Sequence, residues 1–239
     1  MRACHALAMA LCAAAAPACA DEALTIYYNE RPPYLMTAAD GSVAGLTATP
    51  AARAVQLAGL QLRWSKLPTN RQLAVVKDNK EAACAIGWFR NAEREAFAKF
   101  SQPLYQDRPT VALARGGFQR QAERLADELR EHRPMVLLKD GFSYGPFIDG
   151  LMKQLHPPSM STTVENSQMV RMIAAQRADF MYVSEEEAGY LIDQAGLAAG
   201  DVKIVRFADM PAGERRHLMC TRLVPDEWMA RINRALPAD

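Results

Sequence analysis

Long hydrophobic runs, clustered histidines and a surplus of either charge are all scarce in this chain of 239 residues. Beyond position 20 no stretch approaches the ~18 uninterrupted apolar residues that a membrane-crossing helix needs. Histidine occurs only at His5, His132, His156 and His217, with no helical pair and no carboxylates at ligand spacing, so no metal centre is implied. "HLMC", residues 217–220, sets His217 and Met219 on one face of an expected strand, but ordinary strand packing accounts for that. No glycine-rich phosphate loop and no serine elbow is present. Chemistry driven by a cofactor, a metal or a side-chain nucleophile has little to stand on. Lys and Arg number 28 against 27 Asp and Glu, a balance that offers no field for nucleic acid or an anionic membrane.

What is present begins at the amino terminus. Arg2, an apolar stretch over residues 6–16, and small residues at Ala18 and Ala20 form the pattern of a secretory signal peptide, cut after Ala20. Its removal takes Arg2 from the 28 basic residues and leaves 27 of each sign. The mature chain is expected to be soluble, exported and monomeric. Cys4, Cys12 and Cys19 leave with the signal, and Cys84 and Cys220 remain.

The mature chain then alternates. Residues 24–29, "LTIYYN", predict a strand that stops at "ERPPY", where two prolines forbid helix and central strand. "TPAARAVQLAG" predicts a helix with Thr49 as cap and Gly59 at its close. "LQLRWSK" is a strand, "TNRQLAVVKDNK" a helix capped by Thr69, and "ACAIGWF" a buried strand. Strand, helix, strand, helix, strand is the signature of a parallel sheet with helices packed on it. After the extended "QPLYQDRPTVALARG" the order repeats. "QAERLADELREH" is helical, "PMVLLKD" a strand, "GPFIDGLMKQL" a helix, "SMSTTVE" a strand, "NSQMVRMIAAQR" a helix capped by Asn166, and "ADFMYVS" a strand. Residues 69–88 and 166–184 match as polar cap, apolar-faced helix and short buried strand, which predicts two similar α/β lobes. "RRHLMCTR" and "PDEWMARINRAL" add a last strand and helix. In "SEEEAG" the acids Glu186 and Glu187 suit a helix start.

An exported chain with a strand ending in "PPY", "AGL" before a helix, then "REAFAKFS" and "ADFMYVS" resembles the family 3 periplasmic solute-binding proteins, the polar amino-acid binders of uptake transporters. The resemblance implies a type II periplasmic-binding-protein fold, two doubly wound lobes joined by two connectors with ligand held between them. On that plan residues 21–105 and 217–239 form the first lobe and residues 106–216 the second with the connectors. The partners implied are a small-molecule ligand and a membrane permease or sensor, with no catalytic turnover and no cofactor.

The family's site residues carry over position by position. Arg94, with Phe100 and Ser101 at offsets six and seven, falls where the family's arginine grips the ligand α-carboxylate; the planar guanidinium fork suits two oxygens. The alternative is a surface Arg94 paired with Glu93, Glu95 or Asp107. Gly87, Trp88 and Phe89 replace the family's small hydroxyl or glycine residues with a bulkier, less polar wall. Ser184 stands where the family has an acid for the α-amino group. Ser143 matches a hydroxyl of the second lobe, or serves only as a turn residue. Tyr34, Tyr144 and Arg31 also fall near the expected cleft.

The expected function is capture of a small organic ligand, carboxylate-bearing and amino-acid-like, for an uptake transporter. A sensory protein on the same fold is the alternative, and a cyclohexadienyl-dehydratase-like enzyme using Glu185 is a weaker one. The resemblance also lays the strand of Cys220 beside that of Cys84, which permits a disulfide; the other option is two buried thiols packed as small apolar groups.

Overall fold

The computed structural model describes residues 22–237; the expected signal peptide lies outside the described residues. Two five-strand paths of identical order make up the frame. In the first sheet the order is Gln61–Lys66, Ala23–Tyr28, Ala83–Phe89, Arg215–Cys220 and Lys99–Phe100, with Tyr105–Gln106 also pairing to Arg215–Cys220. In the second it is Ser159–Thr162, Val136–Lys139, Phe180–Ser184, Thr110–Arg115 and Val202–Val205. In each, the first three strands are parallel and the fourth runs antiparallel beside the third. That fourth strand is supplied by the chain as it crosses from the other half, so each sheet is completed by a connector. The fold is the expected two-lobed α/β arrangement.

The first sheet is sandwiched. On one face Leu24, Ile26, Cys84, Ile86, Leu218 and Cys220 pack with Ala51, Ala54, Val55, Met229 and Ile232, which come from the helices Ala48–Leu57 and Asp226–Ala235. On the other, Ala85, Trp88 and Met219 pack with Val76 of the helix Thr69–Asp78. Strict alternation would place Trp88 with Cys84 and Ile86. It does not, because Leu218 pairs with Ile86 and His217 with Trp88, leaving Gly87 as an extra residue. Gly87 has φ +81°, a left-handed conformation that glycine adopts without Cβ strain. This bulge reverses the face of everything after it. His217 and Met219 lie on the unbulged strand and share a face: His217 pairs with Trp88, which packs with Met219, and the Phe100 ring beside Met219 meets the His217 ring.

The expected elements form, with differences at their starts. The helix Ala48–Leu57 begins before Thr49, whose hydroxyl accepts from the Gly45 N–H. Thr69 and Asn166 are the first residues of their helices rather than caps, and their side chains reach across to Asn29 and to Glu187. Residues 121–124 are not helical; the chain turns only at Leu125–Asp127 and Glu128–His132. Here the N–H groups of Gln121 and Ala122 donate to the buried Glu128 carboxylate, and those of Leu125 and Ala126 to Asp209. Side-chain acceptors replace the helical carbonyls. Among the described residues no helix is long and apolar enough to cross a membrane.

Cys84 and Cys220 face each other directly in the antiparallel pair and form a disulfide, with Cα atoms 3.9 Å apart and a sequence separation of 136. Both are fully buried. The bridge closes a loop containing the entire second sheet and is expected to add about 2–4 kcal/mol, chiefly by restricting the unfolded chain. Mass spectrometry of the unreduced mature protein should find no free thiol, and the Cys84→Ser/Cys220→Ser pair should lower stability by that amount. Two free thiols in exported protein would refute the bridge.

Candidate ligand-binding site

The strands that carry the sheets end at a common cavity. Phe89, Lys139 and Ser184 are the last residues of Ala83–Phe89, Val136–Lys139 and Phe180–Ser184, and all three line it. Open α/β sheets present ligand sites at these carboxyl ends. The hollow, with the open space at its mouth counted in, spans about 850 Å³. Tyr34, Gly87, Trp88, Phe89, Arg94, Ser143 and Ser184 all contribute to its wall. So do Arg31 and Tyr144.

Arg94 is 6% exposed. Asn91 caps the short helix Ala92–Glu95 by accepting from the Arg94 N–H at 2.9 Å, which turns the side chain back over the strand end. Its guanidinium donates to the Phe89 carbonyl at 2.8 Å and, from the first lobe to the second, to the Gly141 carbonyl at 3.2 Å. It lies over the Trp88 ring, 4.8 Å from the centroid. The carboxylates that could have held it at the surface are engaged elsewhere: Glu95 by Arg90, Glu93 by Lys77 and Asp107 by Arg216. Among the described residues no carboxylate pairs with Arg94. Burial lowers its pKa, against smaller opposing effects of Glu93 and Asp149, so this cation is under-compensated.

The Ser184 hydroxyl, where the resemblance leads one to expect an acid, meets a second arginine. Arg216 donates through Nε and Nη2 to the two oxygens of Asp107, both at 2.7 Å, and through Nη1 to the Gly87 carbonyl at 3.0 Å. The Ser184 hydroxyl donates to Asp107 at 2.7 Å and accepts from Arg216 at 3.0 Å. The rings of Tyr34 and Phe89 flank the guanidinium at 4.0 and 4.9 Å. Burial disfavours the Arg216 charge, but Asp107 and Tyr34 outweigh it and raise the pKa above the ordinary arginine value. Asp107 and Arg216 belong to the two crossings between sheets, which touch here: the Asp107 N–H donates to Glu214. Gly213 permits the approach, since a Cβ there would lie 2.2 Å from the Asp107 carbonyl oxygen.

A third arginine closes the opposite side. The turn of residues 31–35, in which Tyr34 and Leu35 donate to the Arg31 carbonyl, aims Arg31 at the second lobe. It grips Glu187 bidentately, 2.7 Å to each oxygen, and Glu187 is fully buried. Burial opposes ionisation of Glu187 most strongly, yet Arg31 and then Arg216 hold its pKa below the ordinary value. Glu186 accepts from Tyr105 and from the Arg108 N–H. The helix-start reading of both acids is right in place, but it misses that Glu187 is an inter-lobe partner. Glu185, the acid named for a dehydratase-like reading, does not line the cavity and pairs with Arg206. Ser143 lines it while donating to Asp149 at 2.5 Å, so the turn role and the wall position coexist.

Sequence reasoning missed Lys139, Gln72, Asn29 and Asn166, which also face the cavity. Gln72, 1% exposed, accepts from the Trp88 indole and donates to Asn29 and the Leu67 carbonyl. A signal existed for Lys139. A lysine ending the buried run "VLLK" stands at the same kind of strand end that drew notice to Arg94.

No family model and no curated protein matches this chain. Solved structures do. An ancestral arginine-binding protein bound to arginine superposes with TM-score 0.69 at 16% identity, covering 90% of each chain. The substrate-binding protein of an amino-acid ABC transporter gives 0.67 at 14%, over 89% of this chain and 90% of that one. A histidine kinase sensor domain with similarity to periplasmic binding proteins gives 0.69 at 17%, over 90% and 88%. The chain thus has the periplasmic-binding-protein fold.

Two outcomes follow from the ion pairs. Asp107→Ala leaves Arg216, 2% exposed, buried without its anion and should cost about 3–5 kcal/mol in chemical denaturation; a loss under about 1 kcal/mol would mean the pair is not structural. Glu187, with its pKa held below the ordinary 4.5, contributes stability that is present above that value and lost as pH falls through the lower folded value. Wild type should therefore lose melting temperature more steeply below pH 4.5 than Glu187→Gln does. Identical slopes would refute it.

Proposed function

We propose that the mature protein is a periplasmic two-lobed solute-binding protein that captures a small carboxylate-bearing molecule between its lobes for an uptake transporter and does not transform it. The observation that carries this reading is Arg94, a buried guanidinium bonded only to carbonyl oxygens at the wall of the cavity. A carboxylate would supply the missing anion with matching planar geometry. Export is part of the proposal and rests on the amino-terminal sequence. Trp88 and Phe89 form the flat apolar wall beside the carboxylate.

On this reading the lobes, residues 21–105 with 217–239 and residues 106–216, rotate about the crossings near Asp107 and Glu214. The ligand enters an open cleft and stabilises the closed form by contacting both sides. A second reading keeps the binding site but gives it a signalling partner, and it is supported by the likeness to a histidine kinase sensor domain. Ligand-dependent capture of a permease component or of a membrane sensor separates the two.

A thermal-shift screen of the mature protein against monocarboxylates, dicarboxylates, aromatic acids, amino acids and short peptides tests the core claim. A ligand at ~100 times its Kd stabilises by about 2.7 kcal/mol. Arg94→Ala should then weaken binding by about thirty- to several-thousand-fold with little change in unliganded stability. Equal affinity in wild type and variant would remove Arg94 from the site.

A further inference from the structure

Four cationic side chains, Arg31, Arg94, Lys139 and Arg216, line the cavity against a single carboxylate, Glu187. Two of the cations are matched: Arg31 takes both oxygens of Glu187, and Arg216 takes both of Asp107. Arg94 has no carboxylate partner among the described residues. Lys139 is the fourth, and its balance is incomplete as well. Its side chain is 3% exposed, while its acidic partner Glu165, at 3.2 Å, is 54% exposed. A half-exposed acid is well hydrated and screened, so it compensates a buried ammonium weakly. The remaining contact is to the Asn166 amide oxygen at 3.4 Å. Burial pushes the Lys139 pKa down, against the opposing pull of Glu165.

From this imbalance we propose that Lys139, on the second sheet's side of the cavity, forms a second anion subsite beside that of Arg94, and that the ligand class is a small dicarboxylate carrying no ammonium group. The inference rests on the assignment of Arg94 as a carboxylate site. Arg94 follows the strand end Phe89 of the first sheet, and Lys139 ends a strand of the second. A dianion held at both would join the lobes through charge-assisted bonds at each end. Lys139 is well fixed for that role: the Tyr144 hydroxyl accepts from its backbone N–H at 2.8 Å, and its ammonium lies 5.2 Å from the Phe142 ring centroid. The rings of Trp88, Phe142 and Tyr144 line the space for the ligand body.

An α-amino acid fits the same site poorly. Its ammonium would need an acceptor, and the one carboxylate in the wall already receives two 2.7 Å bonds from Arg31. The Ser184 hydroxyl donates to Asp107 and receives Arg216. A ligand ammonium would face cations on several sides without a free anion, and a buried charge without a partner is costly.

Isothermal titration of the mature wild type with matched probes tests the inference: succinate against butyrate, glutarate against pentanoate, terephthalate against benzoate, and glutarate against glutamate. At least one dicarboxylate should bind about thirtyfold or more tighter than its monocarboxylate counterpart, and glutarate should bind more tightly than glutamate. Lys139→Met should lower dicarboxylate affinity far more than monocarboxylate affinity and so erase the dicarboxylate advantage, with Lys139→Gln as a second variant should Met fail to fold. Equal binding of each pair, or tighter binding of glutamate, overturns the second subsite while leaving Arg94 in place if binding still depends on it. No carboxylate binding that depends on Arg94 overturns both assignments.

Discussion

The cleft is organised around one buried ion pair, Arg216 with Asp107. Each residue sits on a different crossing between the sheets, and the pair holds the crossings side by side. Placing both charges out of water carries a desolvation penalty, and the pair persists because the guanidinium makes four hydrogen bonds around it. The guanidinium fork fills both Asp107 oxygens and also reaches Gly87 and Ser184, while Tyr34 and Phe89 cover its faces. These are also wall residues of the cavity. The same interaction therefore fixes the crossings, the end of the bulged strand and the floor of the site.

Around that floor the two lobes meet in a closed arrangement. Arg94 reaches Gly141 on one side, and Arg31 grips Glu187 on the other. The contacts differ in kind. Arg31 and Glu187 satisfy each other's charge, whereas Arg94 gives one neutral carbonyl bond to the second lobe and retains an unmatched charge. One contact joins the lobes through matched charges; the other leaves a buried cation at the cavity wall without a carboxylate among the described residues. A second hollow lies outside, and Asn29, Arg31, Lys139, Phe142, Asn166 and Glu187 line both spaces. Those six residues form the partition between the inner chamber and the outer groove.

Much of the frame was legible because local pattern and global order agree. The repeated alternation of apolar-faced helices and short buried strands leads directly to two parallel-stranded sheets, and the strand ends lead to Arg94 and the wall beside it. The misreadings share a physical cause. Thr69 and Asn166 stand at helix starts, where a polar side chain either caps its own helix or turns to a distant partner. Their partners, Asn29 and Glu187, are remote in sequence, so the local pattern cannot separate the choices. Arg216 is hidden for a related reason: a cation within a buried strand becomes interpretable only when its acid, Asp107, is placed in space. The bulge at Gly87 was equally hidden, because one glycine in a strand does not state which neighbour it slips against.

The disulfide has a consequence for the chain as a covalent object. Cys84 and Cys220, at a sequence separation of 136, turn the chain between them into a ring, and the whole second sheet lies on that ring. Outside it, only the segments before Cys84 and after Cys220 are linear, and both pack against the first sheet. A single backbone cut anywhere in the second lobe opens the ring without dividing the molecule. Both ends remain tethered through the sulfur bridge at the centre of the first sheet, so a nicked protein keeps the mass of one chain until a reductant reaches a bond that is fully buried.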